Sequence, residues 1–113
     1  MGTLMTQSVP LPVSRAIRKL GSDLSLARRR RQLSQAMLAE RIGTSLMTVR
    51  RMEEGSTGIS LQHVARALHV FGELDRLAGL IDSSRDDIGL ALMDEKVPLR
   101  VRSPRRDHGD GSL

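Results

Sequence analysis

The groups best equipped for chemistry in this chain are guanidinium forks. Residues 28–52 hold Arg28, Arg29, Arg30, Arg31, Arg41, Arg50 and Arg51 against the single acid Glu40, a local charge of +6. An arginine presents N–H donors in a planar fork that fits phosphate oxygens, or the O6/N7 edge of guanine, two bonds at a time. Residues 53–95 reverse the balance and carry −6, in a chain whose net charge is +5. A compact positive segment beside an equally negative one points to a polyanion-binding face on an acidic body, with a merely solvated charged surface as the alternative. The remaining reactive types are not arranged for catalysis. His63, His69 and His108 are scattered, and none stands at metal-ligand spacing from another ligand type. Asp86 with Asp87, and Asp94 with Glu95, are adjacent pairs suited to capping or the surface rather than to general acid–base work across a substrate. No nucleophile motif or phosphate-cradling glycine loop occurs. The expectation is a non-enzyme with no catalytic residue, no metal and no cofactor.

The elements that must position these arginines are helical. Leu, Ile, Val, Met and Ala dominate the apolar set, Phe71 is the sole aromatic residue, and the 113 residues give room for one ordinary domain. Cysteine is absent, which removes disulfides and thiolate metal sites and fits a reducing compartment. The start, MGTLMTQSVPLPVS, has no basic region followed by an apolar run, and no stretch approaches membrane-spanning length. A soluble cytoplasmic protein, associated with the nucleoid, is expected.

Residues 1–13 read as a flexible lead in which Pro10 and Pro12 block helix. Ser14 is a candidate cap for a helix running to about Arg31, with Ile17, Leu20, Leu24 and Ala27 as its buried stripe. Gly21 weakens that helix, so a start near Ser22 is the alternative. Ser34 caps a second helix over 35–42 that buries Leu38, Ala39 and Ile42, and Gly43 ends it. Ser45 caps a third over 46–54, with Val49 and Met52 inward and Gly55 at its end. Ser60 caps a fourth, whose inward set is Leu61, Val64, Ala65 and Leu68. A fifth follows the turn at Phe71 and Gly72 and ends near Ile81. A weak short helix over 86–95 stops before Pro98, and the basic, glycine-rich end reads as disordered. The expected organisation is therefore a lead (1–13), a helical domain (14–82), a short helical extension (83–98) and a basic tail (99–113).

Two short helices joined by a tight glycine turn define a helix-turn-helix. Ala39 stands where the helices cross and must be small, and Gly43 stands where positive φ is needed. Leu38, Ile42, Val49 and Met52 lock the pair to the rest of the domain. The joint pattern from Gln35 to Gly55 is far more specific than any one residue of it.

The run LSQAMLAERIGTSLMTVRRMEEG, residues 33–55, resembles the Xre, or phage-repressor-like, helix-turn-helix family, over about residues 20–82. RRRRQLSQAMLAERIG with the GISL junction at 58–61 is most similar within it to HipB-like antitoxins, the partners of HipA-like kinase toxins. That resemblance implies an all-α, five-helix domain. It implies a transcriptional regulator that represses its own operon and holds a kinase toxin inactive. Thr44 stands where the family commonly has an aliphatic residue, and Leu46 and Met47 where it more often has polar readers.

In such a motif the start of the third helix enters the major groove of duplex DNA. Ser45, Leu46, Met47, Thr48, Arg50 and Arg51 are the expected base-reading positions, with either arginine able to take guanine and the two apolar side chains able to pack on thymine methyl groups. Core or dimer packing is the alternative for Leu46 and Met47. Arg28, Arg29, Ser34 and Gln35 are the expected phosphate contacts. Four consecutive helical arginines cannot share one face, so Arg31, in phase with the apolar stripe, is expected to fold its stem over the core. Phe71, Leu74, Leu77, Leu80 and Ile81 form the expected dimer surface, since two half-sites are needed for tight reading. Closing the monomer core is their other possible role. The competing functional reading is a protein-interaction adaptor whose helix-turn-helix fold no longer reads DNA.

Overall fold

In the computed structural model, residues 8–85, Ile88, Ala91 and Leu92 are described. Among them the regular elements are five α-helices and one 3₁₀ turn, with no strand: α1 (Leu11–Arg30), α2 (Gln35–Ile42), α3 (Leu46–Glu54), α4 (Leu61–Phe71), α5 (Leu74–Ala78) and the 3₁₀ turn (Ser83–Arg85). The all-α expectation holds, and α2 and α3 have the anticipated bounds. The chain divides into two units, Met1–Leu80 and Ile81–Leu113. In the second, the Asp82 carboxylate accepts from the Ser84 amide and hydroxyl and closes the 3₁₀ turn. Residues 1–7 of the lead expected over 1–13 and the tail over 99–113 lie outside the described residues, as does most of the short helix expected over 86–95; the last three residues of that lead belong to α1.

Local chemistry sets the middle helices. Ser34, Ser45 and Ser60 each accept a hydrogen bond from the backbone amide three residues on, at Met37, Thr48 and His63, which satisfies one orphan donor at each helix start. Gly43 ends α2 at φ 72°, a left-handed conformation that costs a glycine no Cβ clash.

The first helix differs from its sequence reading. It starts at Leu11, ahead of Ser14, and runs unbroken through Gly21. Pro12 lies in the first turn, where a missing N–H costs nothing and the fixed φ already suits a helix. Ser14 is no cap; its hydroxyl donates to the Leu11 carbonyl. Gly21 is buried because α3 arrives there. A Cβ at this position would stand 2.6 Å from the Met52 carbonyl oxygen and 2.7 Å from that of Glu53. The glycine thus trades some intrinsic helix stability for a close α1–α3 crossing.

The core consists of Leu24, Leu33, Leu38, Ala39, Ile42, Val49, Met52, Ala67 and Phe71, flanked by Ala27, Ile59, Val64, Leu68 and Val70. Leu38 and Val49 are fully buried, each worth about 1.5–3 kcal/mol relative to exposure. Ala39 is buried, as the helix crossing requires. Two stripe assignments change. Leu20 is 41% exposed, because the buried side of α1 runs through Gly21, Leu24 and Arg28 and turns Leu20 aside, and Leu61 lies on the exposed side of α4 while Ala67 and Phe71 are its buried residues.

Candidate nucleic-acid interface

The rotation of α3 is decided by what it buries. Val49 and Met52 face the core, which leaves Met47 and Arg51, one helical turn apart, on the opposite face with Arg50 beside them. Met47 is 50% exposed and both arginines are exposed. Leu46 is half-buried, so of the two apolar reading candidates Met47 is the one presented outward. Ser45 and Thr48 are engaged with each other: the Ser45 hydroxyl accepts from the Thr48 amide at 3.1 Å and shares a hydrogen bond with its hydroxyl at 3.0 Å.

At the other end of α3, Glu53 ties three elements together. Its carboxylate accepts from Arg28 Nε at 2.6 Å and Nη2 at 3.0 Å, and from Gln35 Nε2 at 2.9 Å. Burial by itself would raise the Glu53 pKa. Hydrogen bonds from Arg28 and Gln35, the Arg28 charge and a hydrogen bond from Ser25 outweigh that, and hold it below the ordinary 4.5. A carboxylate only accepts, so it also fixes which way the Gln35 amide points: the nitrogen faces Glu53. One of its two N–H groups remains for another acceptor.

This geometry revises the phosphate set. Arg28 is only 8% exposed, and its Nη1 donates to the Leu33 carbonyl at 2.7 Å. With Glu53 on the rest of its fork, Arg28 is a structural cation rather than a phosphate ligand. Arg29 is exposed, its Nε donating to Ser25 Oγ at 3.3 Å, and Ser34 accepts the Met37 amide at its hydroxyl oxygen while its O–H stays available to donate. Gln35 is half-buried at the start of α2.

Arg31 does fold over the core, with a specific partner. Its guanidinium carbon lies 5.1 Å from the centroid of the Phe71 ring, Nη2 donates to the Phe71 carbonyl at 3.0 Å and Nη1 to that of Ala27 at 2.9 Å. Phe71 is 5% exposed, so it belongs to the monomer core and not to the expected dimer surface. Leu74 and Leu80 are exposed and Leu77 is half-buried; Ile81, also exposed, opens the second unit. One contact had no sequence signal: Arg66 on α4 donates to the Ile42 carbonyl at 2.9 Å and closes the end of α2 beside the turn. The Arg28 role had a signal in its spacing, four residues after the core residue Leu24. Among the described residues no group of His, Asp or Glu side chains is placed to hold a metal ion, and no helix is long and apolar enough to cross a membrane.

Residues 24–77 match the helix-turn-helix family model, just under half of the chain and the whole span from Leu24 to α5. That segment is similar to the helix-turn-helix family, and the likeness supports a DNA-binding transcription regulator. Comparison with curated proteins and with solved structures gives no match.

Proposed function

We propose that this protein is a sequence-specific regulator that binds a palindromic operator as a homodimer. The observation that carries the reading is the outward face of α3. Met47, Arg50 and Arg51 project from a helix whose other face is locked into the core, beside a turn built for this motif. Arg51, with Arg50 next to it, reads guanine; Met47 packs on a thymine methyl group. Leu46, Ser45 and Thr48 support them by packing and capping. Gln35, aimed by Glu53, and exposed Arg29 take phosphates with the amides at the start of α2. The dimer forms through the exposed leucines that follow Phe71, Leu74 and Leu80 above all. The resemblance of residues 28–43 and 58–61 to HipB-like antitoxins supports a finer role, autorepression together with restraint of a HipA-like kinase toxin. The −6 carried by residues 53–95 favours a protein partner on a surface turned from DNA.

The test is a mobility-shift titration on the DNA upstream of the protein's own gene against random duplex, followed by co-purification with the product of the neighbouring gene. A preference of about a thousandfold for the upstream DNA is expected of a specific regulator. Equal affinity for both DNAs would favour the adaptor reading, which the outward apolar Met47 supports. Absence of a co-purifying kinase would leave a plain repressor.

A further inference from the structure

The apolar stripe of α1 outruns the core it serves. The helix begins thirteen residues before Leu24, where the family match opens, which is roughly 20 Å of additional helix. Val13, Ile17 and Leu20 continue the face that Leu24 buries, at spacings of four, three and four residues. Leu24 is buried, whereas Leu20 is 41% and Val13 45% exposed, with Ile17 half-buried. The helix passes the end of α3 at Arg18, whose Cα would lie 2.7 Å from a Cβ on Gly55. Ahead of that crossing Val13 has left its own core, and Leu20, just past it, is turned aside where Gly21 takes the buried position.

We propose that this overhang docks on the α5 surface of a second copy, in an isologous pair whose α1 helices run antiparallel; the proposal rests on the homodimer reading and specifies its interface. Three observations select this occupant. The first is charge. Residues 11–20 contain Arg15, Arg18 and Lys19, the last paired with Asp23, and no acid, whereas α5 offers Asp75 beside Glu73, which Arg31 and Arg76 already pair. Two overhangs facing each other would set like charges together, a costly pairing. The second is the apolar match, since Leu74 is exposed on α5. The third is placement. Arg31 reaches Phe71 and Glu73, so α5 starts beside the C-terminal end of α1, about 27 Å along the helix from Val13. In an antiparallel pair each overhang then meets the other copy's α5, and the contact is made twice.

The absence of cysteine makes the test direct. Full-length chains carrying Val13→Cys are mixed with chains carrying Leu74→Cys and treated with a short bismaleimide. The expected product is the mixed dimer, in clear excess over either self-linked species. In parallel, Val13→Glu with Leu20→Glu should weaken dimerisation by about tenfold or more, with helical circular dichroism unchanged. Predominant Leu74→Cys self-linking, or undiminished dimerisation of the double variant, would overturn the proposal and leave a dimer built through α5 alone. A monomer by light scattering at micromolar concentration would remove the homodimer reading itself.

Discussion

Arg28 and Glu53, twenty-five residues apart in sequence, form a two-bonded ion pair between α1 and α3, with side chains 10% and 5% exposed. The pair joins the end of α1 to the end of α3, and through Glu53 it also holds the first residue of α2. The same carboxylate thus sets both the packing of three helices and the pose of a side chain at the proposed DNA edge.

Removing Glu53 strands a buried guanidinium. Glu53→Ala is expected to destabilise the domain by about 3–5 kcal/mol, because the lost partner leaves Arg28 desolvated and uncompensated. The Leu33 carbonyl keeps one of its N–H groups satisfied, which places the loss toward the lower end. Urea denaturation of the two proteins measures it, and a loss below about 1 kcal/mol would show that water reaches the pair.

The pair also predicts an acid-side stability loss. The Glu53 pKa is lowered in the folded protein, so the unfolded chain binds the proton more readily. The contribution is complete above the ordinary value of 4.5 and is lost as pH falls through the folded value. Denaturation midpoints followed downward from pH 6 should decline more steeply for the native chain than for Glu53→Gln. Parallel declines would assign the acid sensitivity to other carboxylates.

Gly21→Ala weighs two opposite effects. Alanine improves intrinsic helix stability by about 1 kcal/mol, but its Cβ meets two backbone carbonyl oxygens well inside contact distance. Backbone cannot rotate away as a side chain can, and overpacking of this kind costs about 1–3 kcal/mol. A net fall in melting temperature is expected. A rise would mean that α1 and α3 separate at little cost.

Arg51→Ala and Gln35→Ala should separate reading from holding. Loss of a bidentate base contact costs about 1–3 kcal/mol on the preferred sequence and little on random DNA. Loss of the Gln35 phosphate contact weakens both alike and leaves the log–log salt slope nearly unchanged, because a neutral amide releases no counterion, whereas removing the Arg51 charge lowers it. Titrations at several salt concentrations distinguish them. If both variants change the two affinities in the same ratio, Arg50 becomes the reader to test.

What the sequence by itself determined is the motif: the bounds of α2 and α3, the serine caps, the positive-φ turn at Gly43 and the buried set Leu38, Ala39, Ile42, Val49 and Met52. Each rests on forces acting within a few residues, a cap reaching its third amide or a side chain repeating every turn. What only the tertiary structure decided are the contacts closed by residues far along the chain. Arg28 looked like one more phosphate-binding arginine until Glu53 arrived beside it. Phe71 looked like dimer surface until Arg31, forty residues earlier, stacked on its ring. Gly21 looked like a helix breaker until the carbonyls of α3 filled the space a side chain would need. Composition and periodicity state how polar or apolar a position is. Which group meets it is a matter of helix crossing, and that is settled only when the helices pack.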